Sequence, residues 1–288
     1  MPSRLDDTDA VVDRAAQAVS SARALVIAAG AGMGVDSGLP DFRGPEGFWN
    51  AYPAYRHLGL GFMDLANPEW FEKDPAVAWG FYGHRLELYR ATPPHAGFAI
   101  LRRWAERMPC GGFVYTSNVD GHFRRAGLDP DRMVEVHGTI AAMQCFSDCG
   151  AGIFPSDPYE VAIDGSTMRA VPPLPACPRC GGLARPNILM FGDGGWDSSH
   201  SDAQHRRLGR WLETLDGSDV VIVELGAGLA VPTIRILSED FVDRPGGTLI
   251  RINPREPDGP EGHLAIPTAA LAALRAIDER LDNLVRRL

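Results

Sequence analysis

Arg23 to Gly30, RALVIAAG, constrains this chain more than any other stretch: an apolar run, rich in Val, Ile and Leu, that stops on a glycine. So short a run between turn signals reads as a strand buried on both faces. Such strands belong to parallel sheets with helices packed on each side. Further short strands read at GFVYTSN, MVEVHG, NILMFG, DVVIVELG and TLIRIN, with helical stretches HAGFAILRRWAERM, AQHRRLGRWLETL and VPTIRILSEDFV among them. A helix opens the chain over DAVVDRAAQAVSSA, with Asp9 placed to cap it, and another closes it over TAALAALRAIDERLDNLVRRL. Strands alternating with helices predict an α/β fold built on a parallel, doubly wound sheet.

Two segments break the rhythm. Residues 45–94 are aromatic and helix-like without a strand signal, and residues 141–184 carry paired cysteines and several prolines. Both read as insertions that together form a smaller helical and metal-binding module. Residues 1–44, 95–140 and 185–288 are left for the sheet domain. A net charge of −9 argues against a nucleic-acid partner, which needs a basic face. No apolar run approaches the roughly 20 residues of a membrane span, so no membrane partner is expected. The N-terminal MPSRLDDTDA carries acids where a secretion signal carries bases, and the expected location is cytoplasmic.

Cys145, Cys149, Cys177 and Cys180 form C-x3-C, 27 residues, then C-x2-C. In a reducing compartment two such pairs point to tetrahedral Zn²⁺ rather than disulfides. Four thiolates leave no open coordination position, so this metal would be structural. Cys110 stands apart and reads as core.

Gly30, Gly32 and Gly34 give G-x-G-x-G, with Val35 where a dinucleotide fingerprint places its third glycine, and no P-loop Lys-Ser/Thr follows. Taken alone, the glycines are either a flexible turn or a place where backbone approaches a pyrophosphate. Their continuation separates the two. Gly30-Ala31-Gly32, followed by Ser37-Gly38-Leu39-Pro40-Asp41-Phe42-Arg43-Gly44, resembles the signature of the sirtuins, NAD-dependent protein lysine deacylases. Other segments follow in the family's order. Ser117-Asn118-Val119-Asp120-Gly121 resembles its Q-N-I-D motif, and Glu135-Val136-His137-Gly138 its catalytic L-H-G. Gly226-Ala227-Gly228 is similar to its G-T-S, and Arg251-Ile252-Asn253 to the segment meeting the cofactor's adenosine half.

The resemblance implies NAD as cofactor, zinc as structural metal and an acylated protein or peptide as partner. Gly30, Ala31 and Gly32 would line the pyrophosphate, with Ser37, Gly226, Ala227, Gly228 and Asn253 completing the cofactor site. Asp41, Phe42 and Arg43 would lie on a cofactor loop, Phe42 shielding the ribose from water. Ser117, Asn118, Val119 and Asp120 would hold the ribose and nicotinamide. His137 would act as general base on the ribose hydroxyls, a job that suits an imidazole, with Asn118 and Asp120 beside it in the catalytic set.

Arg185-Pro186 and Ile188-Leu189-Met190-Phe191-Gly192-Asp193 resemble the family's R-P-x-V-V-x-F-G-E. There Ile188, Phe191 and Gly192 would line the acyl-lysine tunnel and pair with the substrate backbone. Tyr82 and Arg85 share one helix face, and class III sirtuins carry a Tyr-x-x-Arg at this point that binds acidic acyl groups. The implied reaction removes acetyl, succinyl or malonyl groups from protein lysines, giving nicotinamide and 2′-O-acyl-ADP-ribose. ADP-ribosyl transfer to protein, or NAD hydrolysis, at the same site is the alternative. The chain departs from the family at Met33-Gly34 (Ile-Ser), Ser117 (Gln), His122-Phe123 (Leu-His), Asp193 (Glu) and Ala227-Gly228 (Thr-Ser).

Overall fold

Strand β1 (Ala24–Ala29) is buried along its whole length, Leu25, Ile27 and Ala29 facing one layer and Ala24, Val26 and Ala28 the other. In this computed structural model the described residues are 4–40, 48–49, 52–57, 59–215, 219–242 and 246–286. The remaining strands are β2 (Gly112–Thr116), β3 (Met133–Glu135), β4 (Gly138–Cys145), β5 (Ile153–Pro155), β6 (Ile163–Asp164), β7 (Arg169–Ala170), β8 (Ala184–Ile188), β9 (Val220–Leu225), β10 (Gly247–Ile252) and β11 (Leu264–Ile266). Six of them form one parallel sheet in the order β11-β10-β9-β1-β2-β3.

Helices Arg4–Ser21, Ala96–Arg107 and Ala270–Val285 cover one face; Ser199–Glu213 and Thr233–Val242 cover the other. The chain therefore winds outward from β1 in one direction and from β9 in the other. Open α/β sheets bind ligands at such a switch point, outside the carboxyl ends of the strands. Here those ends are Ala29 and Leu225, each followed by a glycine.

The central strands carry one buried ion pair. Glu224 on β9 and Arg251 on β10 are register partners, both fully buried, and Arg251 donates from Nε at 2.7 Å and Nη2 at 2.8 Å to the two carboxylate oxygens. Removing one partner strands a buried charge, which costs about 3–5 kcal/mol. Glu224→Leu is therefore expected to lower unfolding stability in urea by about 3 kcal/mol. A loss below about 1 kcal/mol would contradict this account. Glu239, which also reaches Arg251 at 2.8 Å, is half-exposed, and its replacement by Gln should cost much less.

NILMFG departs from expectation. It ends strand β8, which pairs antiparallel with β4 in a separate three-stranded sheet, β5-β4-β8, rather than joining the parallel one. An apolar run reports burial, not which sheet buries it. β4 and β8 each run across an expected module border, at 140/141 and 184/185. The opening helix starts at Arg4, so Asp9 lies inside it and pairs with Arg280 of the closing helix at 2.9 Å instead of capping. Residues 53–91 are helical as expected, in four pieces ending with Pro75–Ala91. Their aromatic side chains, Tyr55, Phe71, Trp79, Phe81 and Tyr82 among them, pack with residues of β4 and β8 into a second core. No helix among the described residues is long and apolar enough to cross a membrane.

Candidate active site

The turns after β1 and β9 interlock. Gly30 N donates to Leu225 O at 2.9 Å and Gly32 N to Gly226 O at 3.0 Å. A Cβ on Gly30 would stand 2.8 Å from both Ala227 Cα and Gly226 O; one on Gly226, at φ +59, would stand 2.4 Å from Gly32 Cα. These two glycines are thus demanded by one turn packing against the other, a reason the sequence did not disclose. Two amides brace the same place. Asn118 Nδ2 donates to Gly30 O at 3.0 Å, and the fully buried Asn253 donates from Nδ2 to Ala227 O at 2.8 Å. Asn253, expected at the cofactor, spends its amide on holding that turn. Ser37 likewise accepts the His95 N–H at 3.0 Å, which ties the turn to helix Ala96–Arg107. Ala31 is exposed and Gly228 half-buried, so both turns present small residues beyond the carboxyl ends of β1 and β9. Asp41, Phe42 and Arg43 lie outside the described residues.

Met33 and Gly34, the least expected pair, have a packing explanation. Met33 is fully buried in the core, and a Cβ on Gly34 would meet Leu39 Cδ1 at 3.0 Å and Asp120 Oδ2 at 3.7 Å. A serine at position 34 would crowd Leu39.

The carboxyl ends of β2 and β3 lie beside these turns. Ser117 N donates to Ala29 O at 3.1 Å, and Val119 O accepts from Ile140 N at 2.9 Å. Asp120 accepts the His122 N–H at 2.8 Å, and burial raises its carboxyl pKa against the opposing pull of His122. His122 is fully buried, with Nε2 at 3.1 Å from Thr92 O, and burial lowers its pKa. The neutral ring therefore donates from Nε2. Phe98 packs edge-on against both His122 and Phe123, so this departure from the family motif refills the core.

His137 lies two residues beyond β3 and directly before β4. It is half-buried, and desolvation lowers its pKa while a hydrogen bond with the Ser117 main chain opposes the shift. Its carbonyl accepts Leu189 N at 3.0 Å. Glu135, which the sequence motif includes without giving it a role, braces this strand end: Arg124 donates to its Oε2 from Nε at 3.0 Å and Nη2 at 2.7 Å, and its N–H donates to Gln204 Oε1 at 2.9 Å.

On the peptide side, Ile188 is buried, Phe191 N donates to Ala66 O at 2.9 Å, and Gly192 adopts φ +70, where glycine is favoured. Arg185 and Asp193 form a buried pair, and Asp193 also accepts from Met190 N at 3.2 Å and Gly195 N at 3.1 Å. Aspartate thus holds this turn where the family has glutamate. Arg85 and Tyr82 are both buried, but Arg85 donates to Tyr89 Oη, while Tyr82 stacks on Phe71 at 5.9 Å.

The four paired cysteines come together, their sulfurs all within 4.8 Å of one another. Cys145–Cys180 at 3.7 Å and Cys149–Cys177 at 3.6 Å match the about 3.8 Å edge of a tetrahedron with 2.3 Å Zn–S bonds. Backbone N–H groups of Cys180 and Arg179 pull the Cys177 thiol down to about 7, while desolvation pushes Cys149 up to about 12. Four sulfurs at these separations suit a tetrahedral Zn²⁺.

Residues 30–231 match the family model described as Sir2 family. NAD-dependent protein deacylase 1 of Archaeoglobus fulgidus is 31% identical over 93% of this chain and 94% of its own. The mitochondrial NAD-dependent protein deacylase sirtuin-5 of Danio rerio is 34% identical over 60% of this chain and 58% of its own. A crystal structure of a Sir2 homolog–NAD complex superposes with a TM-score of 0.66 at 25% identity, covering 96% of this chain and 94% of the other. The interlocked glycine turns, the histidine after β3 and the four-cysteine cluster thus stand in a chain that belongs to the Sir2 family.

Proposed function

We propose that this protein is an NAD-dependent protein lysine deacylase that transfers acetyl, succinyl or malonyl groups from lysine to the cofactor's ribose. What carries the reading is His137: a half-buried imidazole whose pKa desolvation lowers, hydrogen-bonded to the Ser117 main chain beyond the carboxyl ends of β2 and β3. Residues 1–44, 95–140 and 185–288 serve as the NAD-binding domain, and 45–94 with 141–184 as the helical and zinc module. The acyl-peptide enters between them, along the segment after β8.

NAD, when bound, supplies an electrophilic ribose carbon with nicotinamide as leaving group. The small-walled crevice of Gly30, Ala31, Gly32, Gly226, Ala227 and Gly228 admits its pyrophosphate without side-chain obstruction. Asn118, buried and fixed on Gly30 O, sets the height of that crevice against Asp120. Asp120, placed over Gly34, faces the nicotinamide amide. His137 takes the ribose hydroxyl proton on its free ring nitrogen, with Ser117 orienting the ring. Asp41, Phe42 and Arg43, outside the described residues, would shield the ribose from water, as the family resemblance implies. Ile188, Phe191 and Gly192 line the tunnel, and Tyr82 and Arg85 lie at its acyl end. The reduced thiolate cluster suits a cytoplasmic location.

Because desolvation lowers the His137 pKa, the base stays unprotonated below the ordinary histidine range. The acid limb of kcat/KM should therefore fall below about pH 6.5, and an acid limb above that value would contradict the assignment. Mass spectrometry of the products tests the reaction itself. Acyl-ADP-ribose with unmodified lysine supports deacylation; ADP-ribose left on protein, or released free, would replace it with transfer or hydrolysis.

A further inference from the structure

The chain that follows β8 runs through Gly192-Asp193-Gly194-Gly195, a stretch almost without side chains. A Cβ on Gly192 or Gly194 would meet nothing within 4 Å, and no hydrogen bond among the described residues engages the main chain of either. Bare backbone of this kind can lie beside a peptide strand. Glycine, however, loses more conformational freedom on ordering than any other residue, so the stretch needs holding at both ends. Asp193 holds the near end, through Arg185 and the N–H groups of Met190 and Gly195. The far end is held by a side chain of the neighbouring strand. We propose that Gln144 is a positioning residue that fixes the glycine stretch for the backbone of the substrate peptide. The proposal rests on the reading that the segment after β8 pairs with that peptide.

Gln144 is buried near the end of β4, one residue before Cys145. Its Nε2 donates to Gly195 O at 2.7 Å, and its Oε1 accepts from Asp197 N at 3.0 Å. The same Oε1 accepts from Nδ2 of the buried Asn187 at 3.0 Å, and that nitrogen also donates to Asp197 O at 2.9 Å. Both lone pairs of Oε1 and both protons of the Asn187 nitrogen are thereby used, so neither amide can turn over without losing bonds. The strand ladder cannot supply this hold. Pairing of β4 with β8 shifts register between Gly138, opposite Ile188, and Met143, opposite Pro186, and Asn187 falls in that gap. Beyond the stretch, Asp197 accepts from Ser199 N at 3.0 Å at the start of helix Ser199–Glu213. The two amides therefore tie the β5-β4-β8 sheet to a helix of the parallel-sheet domain, with the glycines strung between. Without Gln144 the peptide itself would have to order the glycines on binding, a cost that falls on affinity and not on chemistry.

The experiment compares the full-length wild type, Gln144→Met and Asn187→Ser on an acetyl-lysine peptide and on free Nε-acetyl-lysine, which brings no flanking backbone to pair. Gln144→Met keeps the side-chain length and removes every bond of the amide. It should raise KM for the peptide about tenfold, the cost of ordering about one backbone residue on binding. The peptide-to-free-lysine ratio of kcat/KM should fall by the same factor, while KM for NAD moves less than about threefold. Asn187→Ser leaves both Gln144 bonds to the loop in place and should lower the ratio about threefold. A purely structural role would depress both substrates together and leave the ratio alone. That result in Gln144→Met overturns the assignment to Gln144 while leaving the peptide-pairing reading standing. Should Gln144→Met fail to fold, an unchanged ratio in Asn187→Ser overturns it instead. A wild type whose kcat/KM is no higher for the peptide than for free acetyl-lysine overturns the peptide-pairing reading and this proposal with it.

Discussion

Replacing His137 by alanine is expected to lower the rate of peptide deacylation about 10²- to 10⁴-fold, the usual contribution of a positioned general base. Desolvation keeps the ring neutral, so the change removes a proton acceptor and no charge. The backbone at this point should stay in place, because the His137 carbonyl is held by Leu189 N and the preceding strand pairs with β2 whatever the side chain. NAD affinity, measured by calorimetry, should therefore change far less than turnover. Turnover within threefold of wild type would remove His137 from the mechanism. A parallel collapse of NAD affinity would mean that the ring shapes the crevice.

Removing the zinc ligand Cys177 should have the other large effect. The chain is expected to hold one zinc, and the apparent free energy of such thiolate sites is about 10–16 kcal/mol, more than most domains have in total stability. Cys177→Ser should thus lose its metal and melt the β5-β4-β8 sheet. Zinc content by elemental analysis and loss of near-ultraviolet dichroism from the aromatic core are the measurements. Chelation of the wild type should do the same more slowly. Full deacylase activity in a zinc-free sample would make the cluster dispensable and overturn this expectation.

Much of this was legible in the chain, unevenly so. β1 and β9 were readable because strands buried on both faces are continuous apolar runs, and the cysteines because ligand spacing is local. β11, three residues long, falls below the length at which periodicity speaks. β8 could be seen but not assigned to a sheet, because Arg185 and Asn187 inside it have meaning only through Asp193 and Gln144, their partners in space. The site motifs marked the right neighbourhood without stating what each side chain does there. Asn118 and Asn253 read as ligand contacts, yet their amides clamp backbone carbonyls of the two glycine turns. Gly34 reads as an oddity until Leu39 is seen against it.

Strand β4 starts at Gly138, the residue after His137, and ends at Cys145, the first zinc ligand. At about 3.3 Å per residue, these eight residues span some 26 Å, their pairing with β8 shifting register between Gly138 and Met143, with the base at one end and the metal at the other. A thiol oxidised at the far end would loosen this strand and misalign the imidazole, while the glycine turns after β1 and β9 stayed intact. Such a molecule would fail in parts: still able to sequester its cofactor, no longer able to use it.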